Sequence, residues 1–291
     1  MAWIPARVPE ENGVPEPGSR ASGMATSEGV DTAMERVLRR IEERDLDGAR
    51  REIDRMAERF GACPELSYVR GLLRLEEEDE ESAFDLLVQA FRGDATLVDA
   101  GLTAFDLLAD DDDPKLAVEL GERLMDLDLT PEERADVVYR TARAHEDRGD
   151  ERSSKALFLE VWDLDRKRRR RRGTPHASRV RFGKMVEEAI AQLPDPIRFR
   201  IESVPIVVQD RPDRDVVEGG FDPRALGMFD GVPYSDQGAP SLTRILIFQR
   251  NIEDSAEDEA GLEQEIYVTL LHETGHFFGL SEDDLERRGL A

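Results

Sequence analysis

Two of the four histidines in this 291-residue chain stand four positions apart, at His272 and His276, with Glu273 beside the first. Together His272-Glu273-Thr274-Gly275-His276 has the spacing H-E-x-x-H. On a helix, positions i and i+4 share a face, so this spacing predicts two imidazoles reaching one metal ion. Glu273, one step round the helix, then falls beside a metal-bound water as general base. A catalytic zinc site uses three protein ligands and keeps a position open, so a third ligand is required. With 15 residues after His276, it is expected from this short tail or from upstream. Gly279 can adopt the left-handed conformation that ends a helix, turning the chain back to present Glu282, Asp283 or Asp284. The offset H-E-x-x-H-x-x-G-x-x-E selects Glu282 first, with Asp283 as the alternative. The same acids also suit a solvated helix start capped by Ser281, and one carboxylate can serve the metal while the others do so. His145 and His176 have no partner motif and read as surface residues.

These side chains need a scaffold, and residues 179–291 read as a small α+β domain. Arg179 to Leu193 has the apolar period of a helix, stopped by Pro194-Asp195-Pro196, with a short helical turn after it. Val204 to Val208 is strand-like, Gly219 to Gly238 is loop-rich, and Leu242 to Gln249 carries the strongest strand signal. Glu259 to Phe278 is then a long buried helix. The Leu242–Gln249 strand, taken as a sheet edge beside the cleft, is expected to hold extended substrate by strand addition.

Upstream, residues 30–165 read as helical throughout, in amphipathic segments near 31–44, 47–60, 64–77, 80–92, 97–109, 114–127, 131–148 and 151–165. Ala49, Ala83 and Ala117 recur at a 34-residue period, each early in the second helix of a pair. With Gly71, Leu87 and Ala90, this pattern resembles the tetratricopeptide repeat. Val37 and Phe105 stand where Gly71 does in neighbouring units, and the usual proline between units is absent. The resemblance implies stacked helical hairpins with a groove for peptide or protein partners; a plain helical bundle supporting the C-terminal domain is the other reading.

Residues 1–29, rich in Pro, Gly, Ser and Glu, are expected to be disordered. The run Arg166 to Arg172 with Gly173-Thr174-Pro175 reads as a basic linker over 166–178, or as counterions for acidic helix faces. No aromatic residues are interleaved there to stack bases, which speaks against nucleic acid as a partner. So does the formal net charge of −25, from 65 acidic and 40 basic residues. No segment reads as a membrane span or signal peptide, and the single Cys63 excludes an intramolecular disulfide, so the expected location is cytoplasmic.

From about Phe182 to Leu285 the chain resembles the small bacterial zincin-like metallopeptidases. The resemblance rests on FGKMVEEAIAQLPDPIRFRIESVPIVVQDRP, GMFDGVP, RILIFQRNIE and LLHETGHFFGLSEDDL, in that order. It implies a helix packed on a small sheet, with zinc held by His272, His276 and an acid at the Glu282 position and Glu273 as base. Phe229 stands where that family often has tyrosine, so a phenol donor there is not expected. The expected function is zinc-dependent peptide-bond hydrolysis, with the helical repeats recruiting substrate or partner. A different class of function is an adaptor whose zinc site is structural; the intact Glu273 argues against it, since a structural site needs no base.

Overall fold

The computed structural model describes residues 19–108, 113–168, 170, 173–232 and 243–287. The chain divides into two compact units, Met1–Ala109 and Asp110–Ala291. The sequence pattern groups the helices up to residue 165 together; the contacts gather those beyond Asp110 with the C-terminal elements.

The first unit holds α1 (Ser19–Glu42), α2 (Leu46–Phe60), α3 (Pro64–Glu76), α4 (Glu80–Gly93) and α5 (Val98–Leu107). α1 begins at Ser19, inside the stretch expected to be disordered; extending an existing helix costs little once the turn at Val30 to Val37 is packed. The expected disorder of residues 1–18 lies outside the described residues. Aspartates start helices here because a side-chain oxygen satisfies a free N–H of the first turn: Asp45 accepts from Gly48 and Asp79 from Ser82. α3 and α4 run antiparallel and close together. A Cβ on Gly71 would stand 2.8 Å from Leu87 Cγ, and one on Gly93 2.8 Å from Pro64 at the far end. Ala49 and Ala83 are fully buried, as the 34-residue period requires of small contact positions.

The second unit opens with α6 (Pro114–Met125), α7 (Pro131–Asp147) and α8 (Glu151–Lys167). Thr130 and Glu133 form a reciprocal capping box at the start of α7. α9 (Arg179–Gln192) and α10 (Asp195–Ile201) come next, then β1 (Ile206–Gln209), α11 (Arg214–Glu218), β2 (Gly227–Asp230), β3 (Arg244–Phe248), α12 (Gln249–Ser255), α13 (Glu259–Phe277) and α14 (Glu282–Glu286). The sheet order is β1-β3-β2, with β1 parallel and β2 antiparallel to β3. β3 is therefore central and paired on both sides, which rules out the edge role expected of the Leu242–Gln249 segment. Its run of buried apolar residues, Ile245 to Phe248, reflects that position. β2 lies in the stretch expected to be loop-rich. Phe182, Met185 and Val186 of α9 and Ile266, Leu270 and Phe277 of α13 form one core with Ile245 and Ile247 of β3.

α7 and α8 dock on the sheet-bearing part through polar side chains. Tyr139 Oη donates to Asp222 at 2.7 Å, Trp162 Nε1 donates to the Pro212 carbonyl at 2.9 Å, and Arg224 grips Asp165 at 2.7 and 3.1 Å. Arg166 and Lys167 end α8 rather than starting a linker, and the Arg168 side chain is mostly buried near Asp136 and Asp165. Arg169, Arg171 and Arg172 lie outside the described residues. His145, expected at the surface, is 7% exposed in the last turn of α7, with Nδ1 3.1 Å from Asp150. Among the described residues no helix is long and apolar enough to cross a membrane.

Candidate metal centre

α13 is capped by Asp258, whose side chain accepts from the Gly261 N–H, and carries His272 and His276 in its last two turns. The helical repeat stacks their rings edge to face, centroids 4.7 Å apart, with the two Nε2 atoms 3.0 Å from each other.

The chain reversal after His276 brings in the acid. Gly279 has φ 82°, a left-handed conformation in which a Cβ would be strained. The Gly279 N–H donates to the His276 carbonyl at 2.9 Å and the Leu280 N–H to the Gly275 carbonyl at 3.1 Å. This is a Schellman closure, which satisfies the orphan carbonyls of the helix end while turning the backbone round. Gly275 then provides a notch: a Cβ there would stand 2.5 Å from Leu285 Cδ2. Fully buried Leu285 packs α14 into that notch. Ser281 caps α14 in a capping box with Asp284, so Asp284 is spent on the turn. Glu282, at the first position, comes to 3.1 Å from His276 Nε2 and 3.6 Å from His272 Nε2.

Among the described residues, His272, His276 and Glu282 form the one group whose ligand atoms could hold a metal ion, all within 4.8 Å of one another. Asp283 is not part of it. A tetrahedral ion with ligand bonds of about 2.0–2.1 Å has ligand–ligand edges of about 3.3 Å; the two Nε2 atoms are 3.0 Å apart, and the carboxylate comes to 3.1 Å from His276 through Oε1 and to 3.6 Å from His272 through Oε2. His276 Nδ1 lies 3.1 Å from the Leu280 carbonyl, which can only accept. Nδ1 therefore donates there, which orients the ring with Nε2 towards the cluster, the role an outer hydrogen bond plays in metal sites. The imidazoles are about a fifth exposed and Glu282 66% exposed, so the group opens to solvent.

Glu273 faces inward, 6% exposed. Burial pushes its carboxyl up to about 8; the Phe229 backbone N–H, which donates to it, pulls the other way, and the Glu282 charge adds to the rise. A divalent cation at the adjacent cluster would lower it again. The carboxylate lies against β2 because residue 227 is glycine: a Cβ there would stand 2.8 Å from Glu273 Cγ and 2.9 Å from Oε1. Thr269, one turn earlier, is also in contact with Gly227, and its buried Oγ1 has no hydrogen-bond partner among the described residues. The Phe248 N–H donates to the Leu226 carbonyl, so even-numbered β2 positions face β3 and the odd ones, Gly227 and Phe229, face outward at the sheet edge. The Phe229 ring stacks edge to face on Phe277 at 6.0 Å.

The structure thus brings together His272, His276 and Glu282 with Glu273 alongside. The roles of Gly227, Thr269, Gly275 and the Phe229 N–H were not visible in the sequence, because each depends on a contact with a neighbouring element. His176 is exposed, with Nδ1 3.2 Å from buried Glu253 of α12, away from this group.

Residues 201–290, from the end of α10 to beyond α14, match the family model described as zincin-like metallopeptidase. The stretch similar to that family thus lies near the C-terminus, preceded by an all-helical region. No curated protein matches the chain.

Proposed function

We propose that this protein is a zinc-dependent metallopeptidase. The observation that carries the reading is the cluster of two Nε2 atoms and the Glu282 carboxylate at 3.0–3.6 Å, with Glu273 held beside it. His272, His276 and Glu282 would hold the ion. When bound, zinc supplies Lewis acidity, making water a nucleophile at neutral pH and polarising the scissile carbonyl. Glu273 takes the proton from the attacking water and later delivers it to the leaving amine. Its buried position against β2 limits how far the carboxylate can swing, which favours proton transfer at one place. An extended peptide would pair with the outward groups of β2, the edge strand next to Glu273, rather than with β3. α1 to α8 would present protein substrate or a partner, with the cytoplasm as the working compartment.

Two measurements test this. Metal analysis of the purified chain is expected to give one zinc per molecule, lost on His272→Ala. A peptide-library digest is expected to show cleavage by wild type and a fall of about 10²–10⁴-fold in Glu273→Gln, with zinc retained. Equal cleavage by the two proteins would refute the base; zinc held with no cleavage by wild type would favour an adaptor with a structural site.

A further inference from the structure

The described residues of the basic run, Arg166, Lys167, Arg168 and Arg170, have no part in the hydrolytic site. Three of its residues, Arg166, Arg168 and Arg170, line a cleft of about 590 Å³ together with Arg179, Arg211 and Arg250. Asp165, Asp210 and Asp213 line it too, leaving the wall with six cations to three anions in a chain whose formal net charge is −25. Some of these arginines are neutralised at close range by structural partners. Arg170 meets Glu253 at 2.7 Å, and Arg211 and Arg250 share Asp254 at 2.8 and 3.2 Å.

Three are met less closely. Arg168 is 13% exposed, and its nearest carboxylates, Asp136 and Asp165, lie at 3.6 and 3.8 Å, outside hydrogen-bonding range. Both are held closer by Arg224, at 2.9 and 2.7 Å. Arg168 Nη2 is buried with no hydrogen-bond partner among the described residues. A charged donor left in that state costs more than a neutral one, so folding alone gives no reason to keep it. Arg166 lies over the Trp162 ring at 5.0 Å. Arg179 donates to the neutral Val208 carbonyl, and its carboxylate contact is Asp210 at 3.5 Å, an acid 81% exposed; such a pair is worth little. Anchoring α8 explains Arg224, and Asp254 of α12 explains Arg211. Neither accounts for the charges of Arg166, Arg168 and Arg179.

We propose that this cleft binds a small molecule bearing two or more linked phosphates. Guanidinium forks match phosphate oxygens in geometry and charge. The three cations come from the end of α8, the residue after it and the start of α9, and all line the one cleft. The site is independent of the metal centre and of any hydrolytic activity.

Trp162 lines the cleft, and Trp3 is the sequence's one other tryptophan. In full-length Trp3→Phe protein, pyrophosphate is expected to change Trp162 emission saturably, with an apparent Kd that rises with sodium chloride. Adding Arg166→Gln and Arg179→Gln, both at exposed positions, is expected to weaken binding at least tenfold with an unchanged melting midpoint. ATP binding more tightly than pyrophosphate identifies a nucleotide as the source of the phosphates, and the reverse order a free oligophosphate. No saturable change up to 10 mM pyrophosphate, equal affinity in the double variant, or orthophosphate binding as tightly as pyrophosphate would overturn the proposal.

Discussion

Gly227 carries no side chain, and Glu273 lies where one would be. Gly227→Ala places a methyl group 2.8 Å from Glu273 Cγ and from Thr269 Cγ2, too close for either to stay. α13 is fixed in the core by Ile266, Leu270 and Phe277, so the flexible carboxylate is the part that moves. Displacing a proton-transfer group by about 1 Å can cost on the order of 10²-fold in rate. Gly227→Ala is thus expected to lower kcat by that order with zinc content and KM near wild type. A lowered zinc content would instead mean that α13 itself has shifted. The acid's identity is testable by the same logic. Glu282→Gln should weaken zinc binding by well over tenfold, measured by competition with a chromogenic chelator, whereas Asp283→Asn should leave it unchanged. The opposite pattern would transfer the ligand role to Asp283. The juxtaposition of His272, His276 and Glu282, with Glu273 alongside, was legible in the sequence because the helical repeat and one glycine turn relate them locally. Gly227 and Phe229 were not, since some forty residues separate them from Glu273.

Elements show the same division between local and distant causes. The eight helices from α1 to α8 were legible because each combines an apolar period with a readable stop or start, such as Asp79, Asp113, Thr130 and Asp150. α11, β2 and α12 were not. They span 5, 4 and 7 residues, too few for a period to declare itself, and α12 continues from β3 without a break. Short segments like these are held by neighbours, and Arg224, just before β2, shows how. Its fork on Asp165 and its contact with Asp136 join α7 and α8 to the loop before the sheet edge. Arg224→Ala would leave Asp165, 5% exposed, without its close partner. Breaking a buried pair typically costs about 3–5 kcal/mol, and Arg168 at 3.8 Å can compensate in part. A loss of about 3 kcal/mol is expected in urea unfolding followed by Trp162 emission. A change below about 1 kcal/mol would mean that α8 stays docked through its apolar contacts alone.

At the scale of the whole molecule, the boundary at Ala109 and the position of the metal centre make a joint prediction. An ion that binds only the folded second unit stabilises that unit by mass action, about 2.7 kcal/mol when free zinc is a hundredfold above Kd. The first unit has no ligand atoms in the cluster, so nothing couples its stability to zinc directly. The tryptophans allow the two to be separated: in Trp3→Phe protein, Trp162 emission reports the second unit alone, while far-UV circular dichroism reports helices of both. Adding zinc to chelator-stripped protein is expected to raise the midpoint of the emission transition and leave an earlier or later helical transition where it was. Glu282→Gln should reduce that rise, because the ion then has two protein ligands instead of three. If both transitions move together with zinc, the two units melt as one cooperative body and the helical array is energetically part of the metal domain.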